Sequence, residues 1–246
     1  MNDFSSTAFL RFMDLYEMDP DLAAQYPFNL AAVQGLKDQL DFHENVTFLV
    51  GENGSGKSTL LEALAVQQGF NAEGGTKNFN FATEESHSEL HKHLRVSKGF
   101  QNPKNGFFLR AESFYNVASE VDNLGYAGSY GGKSLHEQSH GESFFALMQN
   151  RFGANGLYIL DEPEAALSPN RQMAMLTLLH QLVLQGCQFI IATHSPILLS
   201  YPDSKIYEIQ SNAIKTVDYE QTEIFNISKY FLCNYKSILE DLLKDE

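Results

Sequence analysis

Apolar positions along the chain fall into short runs bounded by turn residues, separated by longer stretches with helical spacing. Phe9–Leu15, Asn45–Val50, Phe107–Ala111, Leu157–Leu160 and Gln188–Thr193 read as strands. The last two have the continuous apolar pattern of strands buried on both faces of a parallel sheet. Helices are predicted over Lys57–Gln68, ended by Gly69, and over Glu84–Leu94, opened by Thr83. A third runs from His140 to about Arg151. A fourth runs from the Ser168-Pro169 pair to Gln185, with Gly186 past its end. The last covers Thr222–Leu243, where Ile224, Ile227, Phe231, Tyr235, Ile238 and Leu242 recur at near-helical spacing. Asn71–Asn80 and Gly125–Gly132 are polar or glycine-rich connections, and Asn102–Gly106 is a turn. Strands alternating with helices predict an α/β fold with a mainly parallel sheet.

Composition narrows the class. The chain has 246 residues, of which 43% are apolar and 20% charged, as in a soluble globular protein able to bury a substantial core. No apolar run reaches membrane-spanning length, and the N-terminus shows no basic-then-apolar leader. Cys187 and Cys233 have no metal-type spacing; Cys187, beside an apolar strand, reads as a buried, reduced thiol in a cytoplasmic protein. A net charge of −14 argues against a generally basic, nucleic-acid-binding surface. The acid-free stretch His91–Ala111 is the exception, with Lys92, Arg95, Lys98, Lys104 and Arg110. It reads as a solvated hairpin and helix end, or else as a contact for nucleic acid or another partner. His87, His91 and His93 lack any completing ligand pattern and read as a solvated helix face.

Three motifs carry chemistry. Gly51-Glu52-Asn53-Gly54-Ser55-Gly56-Lys57-Ser58, followed by Thr59, is a phosphate-binding loop between a strand and a helix. Its glycines let successive N–H groups turn inward on phosphate oxygens, and the helix end adds a positive dipole. Lys57 supplies a charge to the β- and γ-phosphates, and the Ser58 hydroxyl is placed to ligate Mg²⁺. The motif predicts ATP with Mg²⁺ as the bound pair. Leu157–Leu160 then delivers Asp161 and Glu162 to a strand's carboxyl end, where ligands sit in open α/β sheets. Asp161 is a candidate Mg²⁺ ligand, and Glu162 a candidate base that orients the attacking water. His194 ends the next apolar strand and is placed to hydrogen-bond the γ-phosphate or that water.

The segment Ser139-His140-Gly141-Glu142 is a capping box at a helix start and thereby a phosphate-binding end. Its spacing from the other motifs carries a resemblance: Ser139 lies 22 residues before Asp161, and His194 lies 33 after it. In motif order and spacing the chain resembles the ATP-binding-cassette ATPases. The wording of Asp161–Pro169 and Thr193–Pro196 is more similar to their soluble RecF, SMC and OLD-like members and related stand-alone ATPases than to transporter cassettes. The resemblance implies a single domain over residues 1–246, a P-loop NTPase with a mainly parallel sheet, an antiparallel β part and a helical signature subdomain, residues 69–140 forming an arm or helical insertion. It also implies two subunits sandwiching ATP, with Ser139, Gly141 and Glu142 of one completing the other's site, and a switch acting on a protein partner. Alternatives are an ATPase of nucleic-acid maintenance or phage defence, and the energy subunit of a transporter. Ser168 stands where the dimer-contact loop of the family usually has aspartate. The glutamine that links the metal site to the helical arm corresponds to Gln101, or is replaced by Glu112. Tyr16, Tyr26 and Phe28 read as core aromatics, or else as candidates for stacking adenine.

Overall fold

The computed structural model describes residues 7–76, 88–111, 140–211 and 213–244. A six-stranded sheet is built from β3 (Val46–Gly51), β5 (Asn105–Arg110), β6 (Gly156–Asp161), β7 (Gln188–Ala192), β8 (Ser204–Gln210) and β9 (Ala213–Val217). Its order is β5-β6-β7-β3-β8-β9, parallel throughout except for β9, which pairs antiparallel with β8. A smaller antiparallel sheet joins β2 (Leu40–Asp41), β1 (Leu10–Leu15) and β4 (Leu94–Lys98). Among the described residues the long helices are α1 (Lys57–Gln67), α2 (His140–Arg151), α3 (Pro169–Val183) and α4 (Glu223–Leu242).

Strand residues alternate between two cores because the side-chain period of a strand is two. Val46, Phe48, Val50, Tyr158, Leu160, Phe189 and Ile191 pack with Phe144, Leu147 and Met148 of α2 and Met175, Leu179 and Leu182 of α3. Leu49, Ile159, Ile190 and Ala192 face the opposite way, onto Leu60, Leu61 and Leu64 of α1 and Leu10 and Met13 of β1. Every residue of β6 and β7 is buried, which is why their sequences are near-continuous apolar runs.

The expected helix Glu84–Leu94 is shorter among the described residues: residues 84–87 lie outside them, and a single helical turn, Leu90–His93, gives way at Leu94 to β4. Leu94 and Val96 pair with Leu15 and Met13 of β1, so tertiary pairing overrides the local helical preference. The hairpin β8–β9 was not anticipated from the pattern. Within the stretch 69–140 that the resemblance makes an arm, residues 94–98 and 105–110 are strands of the two sheets, and 77–87 and 112–139 lie outside the described residues. Cys187 is buried, donating to Gly153 O at 3.2 Å and accepting from Gly156 N, and burial pushes its thiol pKa up. No described helix is long and apolar enough to cross a membrane.

α4 stands apart. Thr222 caps it by accepting from Phe225 N, and Glu208 on β8 accepts from Glu223 N at 2.9 Å, satisfying two of the first turn's free donors. Beyond that turn no residue is buried, and Ile227, Phe231, Leu232, Tyr235 and Leu242 are exposed.

Two buried side chains, Tyr207 and Gln188, join the sheets: the Tyr207 hydroxyl on β8 accepts from Asp41 N of β2 at 3.1 Å and donates to Asp41 O at 2.9 Å. Gln188, at the start of β7, accepts from Leu10 N at 2.9 Å and donates to Leu10 O at 2.8 Å and His43 O at 2.9 Å. Its amide thus imitates a strand backbone unit for β1. Gln188→Met keeps the volume but leaves those three backbone groups unpaired, so the unfolding free energy should fall by about 2–4 kcal/mol. A lower urea midpoint at unchanged slope would show this. A wild-type midpoint would mean that apolar packing and the Tyr207–Asp41 bonds hold the sheets together without Gln188.

Candidate functional site

The phosphate loop leaves β3 at Gly51 and enters α1 at Lys57. Gly56 caps that helix at φ +95°, and a Cβ there would stand 2.8 Å from Leu30 Cβ, so both the backbone angle and the space require glycine. Leu30 begins the turn Ala31–Gln34, whose Ala32 N donates to Ser55 O at 2.8 Å and braces the loop from outside. Glu52, Asn53 and Gly54 are exposed at its rim; Ser55, Ser58 and Thr59 are half-buried. Lys57 is buried, with Nζ donating to Gly51 O at 2.8 Å and Glu52 O at 2.9 Å.

Parallel register brings the chemistry of the neighbouring strands to the same edge. Arg110 pairs with Asp161 in the β5–β6 register, and Asp161 with Ala192 in β6–β7. Asp161 is 5% exposed and accepts from Ser58 Oγ at 3.0 Å. Two oxygen donors in contact at a phosphate loop are the donor type that Mg²⁺ takes, so these residues fit the ion. Glu162 follows at φ +51°, its N–H bonded to Ala192 O at 2.9 Å, and its Oε1 lies 3.6 Å from His194 Nε2. Glu164 Oε1 accepts from His194 N at 2.5 Å. Ser55 Oγ and His194 Nε2 are buried without a hydrogen-bond partner among the described residues, as expected of atoms that face a polar ligand.

The structure adds residues that the motifs did not single out. Arg110, read as part of a surface patch, turns into the site: Nη1 is 2.7 Å from Glu62 Oε2 on α1, and Nε is 3.6 Å from Asp161 Oδ2. The available signal was its place at the end of the strand before the Ser139–Glu142 segment. Of the other patch cations, Lys92 pairs with Glu89 and Arg95 with Asp14, while Lys98 and Lys104 are exposed.

Ser139 and Glu112 lie outside the described residues. Gly141 opens α2 against the connection that follows Glu162, where a Cβ would meet Ala166 O at 2.8 Å. Glu142 is an exposed carboxylate 3.2 Å from Arg171 Nη2 on α3. Gln101 is exposed in the turn before β5. Phe28 is buried with its ring edge on His93, a core contact, so it is not free to stack a base. Tyr16 is exposed and lines a groove of about 660 Å³ with Met18, Asn29 and Val33. Tyr26 is exposed, and His87 lies outside the described residues.

Two family models match parts of the chain. Residues 29–116, which hold the phosphate loop, match a family model described as an AAA domain. Residues 140–199, which hold Asp161, Glu162 and His194, match one described as an AAA ATPase domain. The chain is a P-loop ATPase, similar to those of ABC type. A protein named as an ABC transporter ATP-binding protein in Methanothermobacter marburgensis is 29% identical to it over 212 residues, 77% of this chain and 74% of that protein. The energy-coupling factor transporter ATP-binding protein EcfA of Methanothermobacter thermautotrophicus is 25% identical, over 79% of this chain and 68% of its own length. The solved structure of cbiO1 from Clostridium perfringens, part of the ABC transporter complex cbiONQ, shares the fold. Its TM-score is 0.51 at 18% identity, covering 95% of this chain and 99% of its own.

Charge in the ATPase's site is tightly coupled. Burial lowers the pKa of Lys57, while Glu162, Asp161 and Glu164 act to raise it. His194 is pushed below the usual imidazole range, first by burial and then by the Lys57 ammonium, against the opposing pull of Glu162 and Glu164. A lowered imidazole pKa means that the folded state resists protonation, so this contribution to stability is present above the usual imidazole pKa and is lost as pH falls through the lowered value. His194 is therefore neutral at neutral pH, able to donate from one ring nitrogen and accept at the other. Histidine NMR titration should place its midpoint below that of an exposed imidazole. Lys57→Met should raise the midpoint, and Glu162→Gln should lower it. A shift of opposite sign in either variant would show that the three groups do not share one site.

Proposed function

We propose that the ATPase closes on ATP as a homodimer and passes that closure to a protein partner. In this reading Lys57 and the loop N–H groups hold the β- and γ-phosphates, and Ser58 and Asp161 hold Mg²⁺. Mg²⁺, when bound, supplies neutralisation of phosphate charge. Glu162 orients a water whose oxygen attacks the γ-phosphorus as the bond to the β,γ-bridging oxygen breaks. The water's proton goes to the Glu162 carboxylate, and ADP and phosphate leave. His194, neutral and with Nε2 lacking a hydrogen-bond partner among the described residues, donates to or accepts from the γ-phosphate or that water.

The observation that carries the hydrolytic assignment is the meeting of two pairs at one sheet edge: Ser58 with Asp161 at 3.0 Å, and Glu162 with His194 at 3.6 Å. The homodimer part rests on the position of Gly141 and Glu142 at the start of α2, where the helix dipole favours a phosphate. With its own phosphate loop serving its own nucleotide, that helix end would in this reading serve the nucleotide of a second copy.

A second reading, the energy subunit of a transporter, is favoured by the names of the relatives. Nucleic-acid maintenance is the less supported alternative, because three of the five patch cations are engaged by acids of the same chain. Glu162→Gln should bind Mg-ATP without turning it over and elute as a dimer, whereas the same protein with ADP should elute as a monomer. A monomer in both states would overturn the sandwich. Copurification of the ATP-trapped variant with an integral membrane protein would favour the transporter reading over a soluble switch.

A further inference from the structure

Gln172 sits in the first turn of α3, outside the phosphate loop, the acidic pair and His194. Both ends of its amide are used. Nε2 donates to Leu167 O at 3.0 Å, and Oε1 accepts from Ser195 Oγ at 2.6 Å. Leu167 belongs to the connection that follows Glu162, and Ser195 follows His194 directly. The Ser195 hydroxyl also accepts from Ile197 N and Leu198 N at 3.1 Å, while Thr193 Oγ1 accepts from Ser195 N at 3.0 Å. Ser195 is buried and Gln172 half-buried, so these bonds are shielded from competing water.

We infer that Gln172 is a positioning residue for hydrolysis: its amide locks the connection carrying Glu162 and Glu164 to the turn carrying His194. Glu164 spans the same gap by accepting from His194 N. With both bridges made, the Glu162 carboxylate and the His194 imidazole are held at a fixed separation. The chemistry of the bridge requires an amide of this length. A carbonyl at one end needs a donor and a hydroxyl at the other needs an acceptor. Glutamate would set a carboxylate against the Leu167 carbonyl, leucine offers neither group, and asparagine is one methylene short. The neighbouring Arg171 reaches Glu142 at the start of α2, so one helical turn touches α2 and both hydrolytic loops.

This inference rests on the proposed role of His194, and the test separates the two. ATPase kinetics at saturating Mg²⁺ would be compared for wild type, Gln172→Leu, Gln172→Glu, Ser195→Ala, the Gln172→Leu/Ser195→Ala double variant, and His194→Ala. Gln172→Leu and Ser195→Ala should each lower kcat on the order of tenfold or more with little change in KM, because displacing a reacting group by a fraction of an ångström is costly. The double variant should be no slower than the slower single one, since both remove the same bond. Gln172→Glu, which keeps the size, should show the same loss in kcat and serves if the leucine variant does not fold. A kcat within twofold of wild type in Gln172→Glu and Ser195→Ala, or losses that multiply in the double variant, would overturn the inference. If His194→Ala itself turned over at the wild-type rate, the role of His194 would fall first. If His194→Ala is slow and the Gln172 variants are not, only the positioning role fails.

Discussion

The site is organised around one electrostatic constraint: Asp161, Glu162 and Glu164 crowd three carboxylates into four residues at the end of a buried strand. A pair of like charges 4 Å apart costs about 4 kcal/mol at an effective dielectric of 20, too much to leave uncompensated in a domain of ordinary stability. Each acid has a different counterpart. Asp161 takes the Ser58 hydroxyl and the nearby Arg110 guanidinium. Glu164 takes the His194 backbone N–H, a donor fixed by the chain itself. Glu162 is left the most open of the three, facing a neutral imidazole at 3.6 Å. Lys57 lies in the field of all three. The least compensated acid is the one assigned to the water, as a base must be.

The same constraint explains why the surroundings are so heavily cross-braced by side chains. The loops after β3, β6 and β7 are not paired to one another as strands, so their relative positions depend on single contacts. Ala32 N holds the phosphate loop from outside, Glu164 and Gln172 join the two hydrolytic loops, and Arg171 reaches across to α2. A brace made of one or two hydrogen bonds is strong enough to fix a geometry and weak enough to be exchanged when a ligand brings its own charge. Lys57, whose ammonium rests on the Gly51 and Glu52 carbonyls, is the clearest case, because phosphate oxygens offer it stronger, charged acceptors.

Much of this could be read from residues alone, for a physical reason. Central parallel strands such as Leu157–Leu160 are buried on both faces and therefore write themselves as apolar runs, and the site hangs from their ends. What was illegible depended on partners distant in the chain. In β8 the alternation is broken at Glu208, a 5%-exposed carboxylate whose burial makes sense only once it is seen binding the first turn of α4. β4 lacks a strong signal of its own and exists because β1 offers it an edge. Arg110 looked like one cation among five; its contact with Glu62 spans 48 positions and cannot be inferred from spacing.

Glu162 shows how the fold trades stability for placement. Its left-handed backbone, φ +51°, costs on the order of 1 kcal/mol for a residue with a side chain. Had the strand simply continued, period-two alternation would have carried the Glu162 side chain to the face opposite Asp161. The left-handed turn ends the strand instead, while Glu162 N still completes a bond to Ala192 O. Both carboxylates can then act on the same ammonium, Lys57, which feels each of them. Glycine would adopt this angle without strain but would carry no carboxylate. The strain is thus what allows two adjacent residues to serve one site, one beside Ser58 and the other beside His194.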